Sequence, residues 1–267
     1  MLRMEKEILT NRGLLRSLVK RDLRGRYVGS MMGLFWTVIH PLIMIAIYVF
    51  VFTTIWKGPR LYGGKHVNYA IYLCSGMLPW MCVLDAVLAS CTIILGNAPL
   101  MKKVVFPSAI LPVQVICSAF INLSITMGLL LIFLAFMGAW PGWWTLGLIP
   151  VFALQFFLLL GPCFLFATLM IYFRDLQQLM NALMQILFWA TPIFYYREDF
   201  AQKFAFFDAW LRLNPINHLM AIYRSVLINQ SFPSLRGVIY LLAFGALSYA
   251  VGKYIFTRSR HNFVDEI

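Results

Sequence analysis

Few residues in this chain of 267 could do acid–base or metal chemistry: ten Asp and Glu, and four His. His40, His66, His218 and His261 show no ligand spacing, and Asp85, Asp175 and Asp208 lie far apart in the chain and in expected depth. Neither a metal centre nor a working pair of carboxylates is expected. The five cysteines, Cys74, Cys82, Cys91, Cys117 and Cys163, sit in apolar runs with neither CxxC nor His-paired spacing, and read as small packing residues. Gly58, Gly63, Gly64 and Lys65 superficially resemble a phosphate loop. The spacing is wrong, however, and no Ser or Thr follows the lysine. No catalytic residue, metal or cofactor is therefore expected in this chain. Asp85 stands apart as a carboxylate inside an apolar run, a position that marks a candidate for substrate or proton contact or for pairing with a neighbouring helix.

The elements that must position such residues are membrane helices. Hydrophobic residues make up 61% of the chain, charged residues 12%, and the mean hydropathy is +0.79, too apolar for a soluble fold of this length. The net charge of +12 does not point to nucleic acid, because eight of the 22 Lys and Arg residues lie within the first 26 positions, beside the first apolar run. Attraction to anionic lipid and the setting of topology explain that placement.

The expected fold is an all-α integral membrane protein. Residues 1–28 form an amphipathic interfacial helix, with Leu14, Leu15, Leu18, Val19 and Leu23 on one face and Arg16, Lys20, Arg21 and Arg24 among the basic positions. Residues 29–267 form the transmembrane domain, with six spans near 31–56, 69–95, 108–137, 143–173, 179–195 and 237–256. Pro150 and Pro162 predict a kink or break in the fourth. An even count places both termini on one side, and the positive-charge bias makes that side cytoplasmic.

Three further stretches carry candidate sites. In the first span Tyr48, Phe52 and Trp56 recur every fourth residue, a candidate channel-lining stripe for sugar rings or an ordinary interfacial belt. Between the second and third spans, residues 97–106 predict a short basic helix capped by Asn97, with Lys102 and Lys103 near its end. It is either a polar turn or a docking peg for a soluble partner. From 198 to 229, charge alternates with apolar residues, and two short re-entrant helices broken at Asn214-Pro215 are expected before the last span. Arg224 in that region needs a partner or a route to the headgroups.

The run RDLRGRYVGSMMGLFWTVIHPL from Arg21 to Leu42, YVFVF from Tyr48 to Phe52, LMKKVVFPSAILP from Leu100 to Pro112, TPIFY from Thr191 to Tyr195, Asn214-Pro215 and Tyr223-Arg224 together cover most of the chain in order. They resemble the polysaccharide and polyol-phosphate branch of ABC-2 type transporter permeases. The resemblance implies half of a homodimeric channel, each copy docking one soluble ABC ATPase subunit that binds ATP and Mg. The ATPase dock would be the coupling helix, with Asn97, Leu100, Met101, Lys102, Lys103 and Phe106, beside the interfacial helix. Pro192, Asn214, Pro215 and Arg224 would belong to the gate region.

The resemblance further implies a lipid-linked polysaccharide as cargo, as in O-antigen, capsule or teichoic acid export, and a cell inner membrane as the location. The function expected is thus a permease subunit of an ATP-driven exporter, itself no enzyme. Export of a small amphipathic molecule or lipo-oligosaccharide is the alternative within the family. A membrane enzyme acting on lipid-linked glycans is the alternative outside it, and it lacks the clustered acidic or His residues it would need.

Overall fold

The computed structural model describes residues 3–25, 35–51, 60–62, 65–67, 69–103, 106–195, 205–260 and 262–263. Among the described residues the regular structure is helical apart from one antiparallel hairpin, β1 (Arg60–Tyr62) with β2 (Lys65–Val67), which occupies part of the expected first loop. The helices are α1 (Arg3–Thr10), α2 (Arg12–Gly25), α3 (Trp36–Phe50), α4 (Tyr69–Gly96), α5 (Ala98–Lys103), α6 (Ile110–Phe136), α7 (Leu148–Tyr172), α8 (Leu176–Trp189), α9 (Ala205–Leu213), α10 (Pro215–Arg224) and α11 (Leu235–Ser259). A 3-10 segment, Gly142–Gly147, leads into α7, and a π turn, Ser225–Asn229, follows α10.

Among the described residues four helical segments are long and apolar enough to cross a membrane: Tyr69–Gly96, Ile110–Phe136, Gly142–Tyr172 and Leu235–Ser259. They match the expected second, third, fourth and sixth spans. Of the expected first span, 31–56, the described part holds α3, and residues 31–34 and 52–56 lie outside the described residues. The expected fifth span appears as a shorter helix, α8 with 14 residues, or about 21 Å against a hydrocarbon core of about 30 Å. For α8 the reason is Thr191-Pro192: proline has no N–H and pushes its predecessor out of helical geometry, so the helix closes at Trp189 and residues 191–195 continue as a bent strand of chain. The helix α7, by contrast, runs unbroken through Pro162.

The expected single amphipathic helix over 1–28 is two helices, α1 and α2. They part at Asn11, whose Nδ2 donates to the Glu7 carbonyl at 2.8 Å. Met4 and Leu18 from these helices join Ile94, Met101, Ile110, Ile171, Phe256 and Phe263 in one apolar cluster. That cluster gathers both ends of the chain at one end of the bundle, called basal here. The opposite, distal end holds the start of α4, the end of α8, and α9 and α10.

The helices α7 and α11 run parallel and meet backbone to backbone. A Cβ placed on Gly161 would stand 2.3 Å from the Ser248 carbonyl carbon, and one on Gly252 would stand 2.3 Å from the Gly161 oxygen. Apolar helices gain little from the hydrophobic effect against each other in lipid, so small residues that admit backbone contact do the holding.

At the basal end α1 is tied to α11. The Glu5 carboxylate pairs with Lys253 and accepts from the Tyr249 hydroxyl at 2.9 Å, and Arg260 Nη1 lies 3.1 Å from Glu7 Oε2. Burial alone would raise the Glu5 pKa, but hydrogen bonds from Lys253, its own backbone and Tyr249 outweigh it and hold the carboxyl below its ordinary 4.5. A lowered folded pKa gives stability that is present above pH 4.5 and lost as pH falls through the folded value. Detachment of α1, read as faster proteolysis near Asn11, is expected on acidification below pH 4.5 and in Glu5→Gln at neutral pH. Equal cleavage of wild type and Glu5→Gln at neutral pH would rule out this tether.

Candidate functional site

The distal site is built on α10. Asn214 caps it, its Oδ1 accepting from the Ile216 amide at 2.9 Å, and Pro215 supplies a first helical residue that needs no partner. The same Asn214 donates through Nδ2 to Thr191 Oγ1 at 2.9 Å, which ties the start of α10 to the chain leaving α8. An amide and a histidine close the α9–α10 corner: Asn217 Nδ2 donates to the Leu211 carbonyl and His218 Nε2 meets the Arg212 carbonyl, both at 2.8 Å. From Ile216 to Arg224 seven side chains of this helix are buried. It is packed between α4, α7 and α11 rather than lying on the surface.

At the end of α10 stands Arg224, 3% exposed. Its guanidinium carbon lies 3.6 Å from the centre of the Tyr72 ring, and Nη2 donates to the Ile193 carbonyl at 3.2 Å. Gly76 leaves room for it: a Cβ there would sit 2.8 Å from Nη2. Tyr72 in turn donates to the Tyr195 carbonyl at 3.0 Å, and Tyr69 donates to that of Phe194. Three successive carbonyls, of Ile193, Phe194 and Tyr195, thus each receive a donor from α4 or α10. A desolvated cation over an aromatic face is worth about 2 kcal/mol, and a hydrogen bond from a charged donor about 1.5–3 kcal/mol. Beside it, the Tyr223 hydroxyl donates to Gln155 Oε1 at 2.5 Å, while Gln155 Nε2 donates to the Pro79 carbonyl at 3.1 Å. The arrangement is a clamp: one end of α10 fixes both the α4–α7 pair and the chain after α8.

The structure brings Pro192, Asn214, Pro215 and Arg224 to this one place. It adds Tyr69, Tyr72, Gly76 and Gln155, which sequence reasoning missed. Gln155 carried a signal, being an amide deep in an apolar run. The two tyrosines carried none that separates them from an interfacial belt.

At the basal end, Arg21 Nη2 donates to Asn97 Oδ1 at 2.7 Å, and Asn97 Nδ2 donates to the Ile93 carbonyl at 2.8 Å. The Asn97 side chain therefore bridges α2 and α4, which corrects its expected role as a helix cap. Of the expected coupling helix over 97–106, Ala98–Lys103 form α5, and residues 104–105 lie outside the described residues. Met101 is buried and Phe106 is packed on the basal cluster, Leu100 is half-buried, and Lys102 is exposed. Arg16, Lys20, Arg21 and Arg24 are exposed on α2 nearby. The Arg21–Asn97 bond joins the two stretches into one basic platform.

The aromatic stripe falls outside the described side chains. Tyr48 lies in α3, but its side chain and that of Lys103, together with the whole of Phe52 and Trp56, fall outside the described residues, as do residues 198–204 of the expected gate region. Asp85 is half-buried on α4, nine residues on from Gly76 and so about 14 Å further along the helix. Among the described residues no group of three or more potential metal ligands is present.

One polar surface went unnoticed in the sequence. On α8, Leu176, Met180 and Met184 are buried, while Gln178, Asn181 and Gln185 are exposed. At 100° per residue these three amides share one face. An amide moved from water into hydrocarbon without a partner costs about 4–8 kcal/mol. Such a face is not compatible with lipid.

This bundle, with four described segments long and apolar enough to cross a membrane, is that of a multi-pass membrane protein. The ABC-2 type transporter family matches residues 13–228, and the chain belongs to that family. It is the membrane permease component, not the ATPase, and an ABC permease implies an ATPase partner. The chain is 29% identical over its full length to the O-antigen export system permease protein RfbA of Myxococcus xanthus, all of which is covered. Two proteins of the same description from Klebsiella pneumoniae are 27% and 26% identical, over 93% of this chain and 92% of theirs.

Proposed function

We propose that this chain is the permease subunit of an ATP-driven exporter that moves a lipid-linked polysaccharide, of the O-antigen kind, across the cell inner membrane to its outer face. The basal platform carries this reading. Exposed Arg16, Lys20, Arg24 and Lys102 and the Arg21–Asn97 bond present α2 and α5 as a single unit to a soluble partner. An ATPase acting there would push on α4 and α6 together, because α5 joins them. In this reading the platform and both termini are cytoplasmic, two copies of the permease pair into one channel, and each docks one ATPase subunit. The helices α3 and α8 complete six spans, while α9 and α10 are re-entrant and form the outer gate.

The cargo class rests on the end-to-end similarity to O-antigen permeases. It also fits the chemistry. A glycan's hydroxyls need partners throughout the crossing, so a polar conduit and an external energy source are both required. A smaller amphipathic cargo is the second reading, favoured by an apolar cleft of about 320 Å³ lined by Val151, Leu154, Phe157, Ile222 and Leu242.

Deleting the gene in its host and assaying both surface polysaccharide and the cytoplasmic lipid-linked pool tests the proposal. Loss outside with accumulation inside is expected. Loss of both would move the block upstream to synthesis and return the membrane-enzyme reading, and no change in either would leave the amphipathic cargo.

A further inference from the structure

We propose that the amide stripe of α8, Gln178, Asn181 and Gln185, lines the translocation path and sets its preference for an uncharged, hydroxyl-rich polymer. This rests on the export reading above and goes further by naming the surface and the chemistry it recognises. The spacing of three and four residues places these amides, with Trp189, within an arc of about 80° and along about 16 Å of helix. The stripe is a line along the axis and not a point. All three amides and Trp189 are exposed, whereas Leu176, Met180 and Met184 on the other side are packed. The remaining exposed surface, Leu179, Leu183 and Ile186, is apolar and suited to lipid. At the edge of the stripe, the Gln177 side-chain oxygen is buried without a partner.

Each element of the stripe suits a sliding glycan. A carboxamide both donates and accepts, as a sugar hydroxyl does, so the two can pair in either sense and exchange partners with each other and with water. No Asp, Glu, Lys or Arg lies in α8, so no single strong site would arrest the chain. Trp189, stacked on Phe194 at 5.7 Å and tilted 26°, ends the stripe at the distal side with an aromatic face for a sugar ring. A charged polymer would find no counter-charge along this line. Polar residues on a membrane helix face protein or a water-filled cavity, and on α8 it is the amide face that is left open.

The test is thiol labelling of the whole complex, permease with its ATPase, in membrane vesicles. Single substitutions Gln178→Cys, Asn181→Cys and Gln185→Cys are compared with Leu179→Cys and Ile186→Cys. Wild type is the baseline, its own cysteines being buried or half-buried. A membrane-impermeant sulfonated thiosulfonate reagent should label the first three and spare the last two. Labelling should be slower in vesicles from cells that make the lipid-linked glycan than in vesicles from cells blocked in its synthesis.

The variant Gln178→Leu/Asn181→Leu/Gln185→Leu should still co-purify with the ATPase yet export about tenfold less, the loss expected when about one net hydrogen bond disappears from the path. Equal labelling of both sets, or a disulfide between two copies at Asn181→Cys, would overturn the path assignment, the latter by making the stripe a contact between copies. Labelling that the glycan leaves unchanged would overturn the assignment of cargo. The export reading itself stands or falls on the gene-deletion assay, so the two failures are separable.

Discussion

Replacing Gly161 with leucine is expected to abolish folded permease. The site has no slack. A Cβ at 161 falls 2.3 Å from the Ser248 carbonyl carbon and 2.5 Å from both its oxygen and the Tyr249 nitrogen, all backbone atoms that cannot rotate aside. Overpacking a well-filled core already costs about 1–3 kcal/mol, and a clash between backbones exceeds that, into the range above about 4–5 kcal/mol that is diagnostic of a specific lesion. The α7–α11 pair also carries the Glu5–Lys253 tether at one end and the Tyr223–Gln155 bond nearer the other, so separation of the two helices disturbs both sites. Gly128→Ala is the matched control, because a Cβ there meets nothing within 4 Å. Expression and a single symmetrical peak in detergent chromatography should survive in Gly128→Ala and vanish in Gly161→Leu. A monodisperse Gly161→Leu protein of normal thermal stability would refute this account of helix packing.

Much of the architecture was legible because it follows from local rules. Four membrane-crossing segments could be read from apolar length alone, and the break at Asn214-Pro215 from the restriction that proline places on its predecessor. The division of the amino-terminal region at Asn11 was not legible. The apolar period runs on from Leu14 to Leu23, but the segment before it depends on pairing with Lys253 and Arg260, more than 240 residues away. The role of Asn97 was misread for a similar reason: its capping propensity is local, whereas its actual partner, Arg21, lies on another helix. Arg224 was recognised as needing a partner, yet an aromatic ring and a carbonyl as that partner require knowing which face of α4 it meets. The α8 amides were overlooked because hydropathy averages over a helix and hides which face is polar. Three glutamines and one asparagine in fourteen residues still read as a weak apolar run.

Replacing Arg224 should release the chain after α8 from α4 and impair export. The Arg224→Ala variant strips the donor from the Ile193 carbonyl and the cation from the Tyr72 ring, and it leaves both facing a buried space. Losing a charged hydrogen-bond donor costs about 1.5–3 kcal/mol and a desolvated cation–aromatic contact about 2 kcal/mol, together enough to shift the population of the clamped state by about two orders of magnitude. Arg224→Lys should rescue only in part. An ammonium is a single compact charge, whereas the planar guanidinium lies over a ring and donates sideways to a carbonyl at the same time. The clamp holds the carbonyls of residues 193–195, so release of this segment is read by hydrogen exchange at its amides, which should rise in both variants, further in Arg224→Ala. A double-substitution cycle with Tyr72→Leu should show strong coupling, because each partner has already lost the other. Additive effects in that cycle, with unchanged exchange at residues 193–195, would show that Arg224 acts by some route other than the Tyr72 and Ile193 contacts.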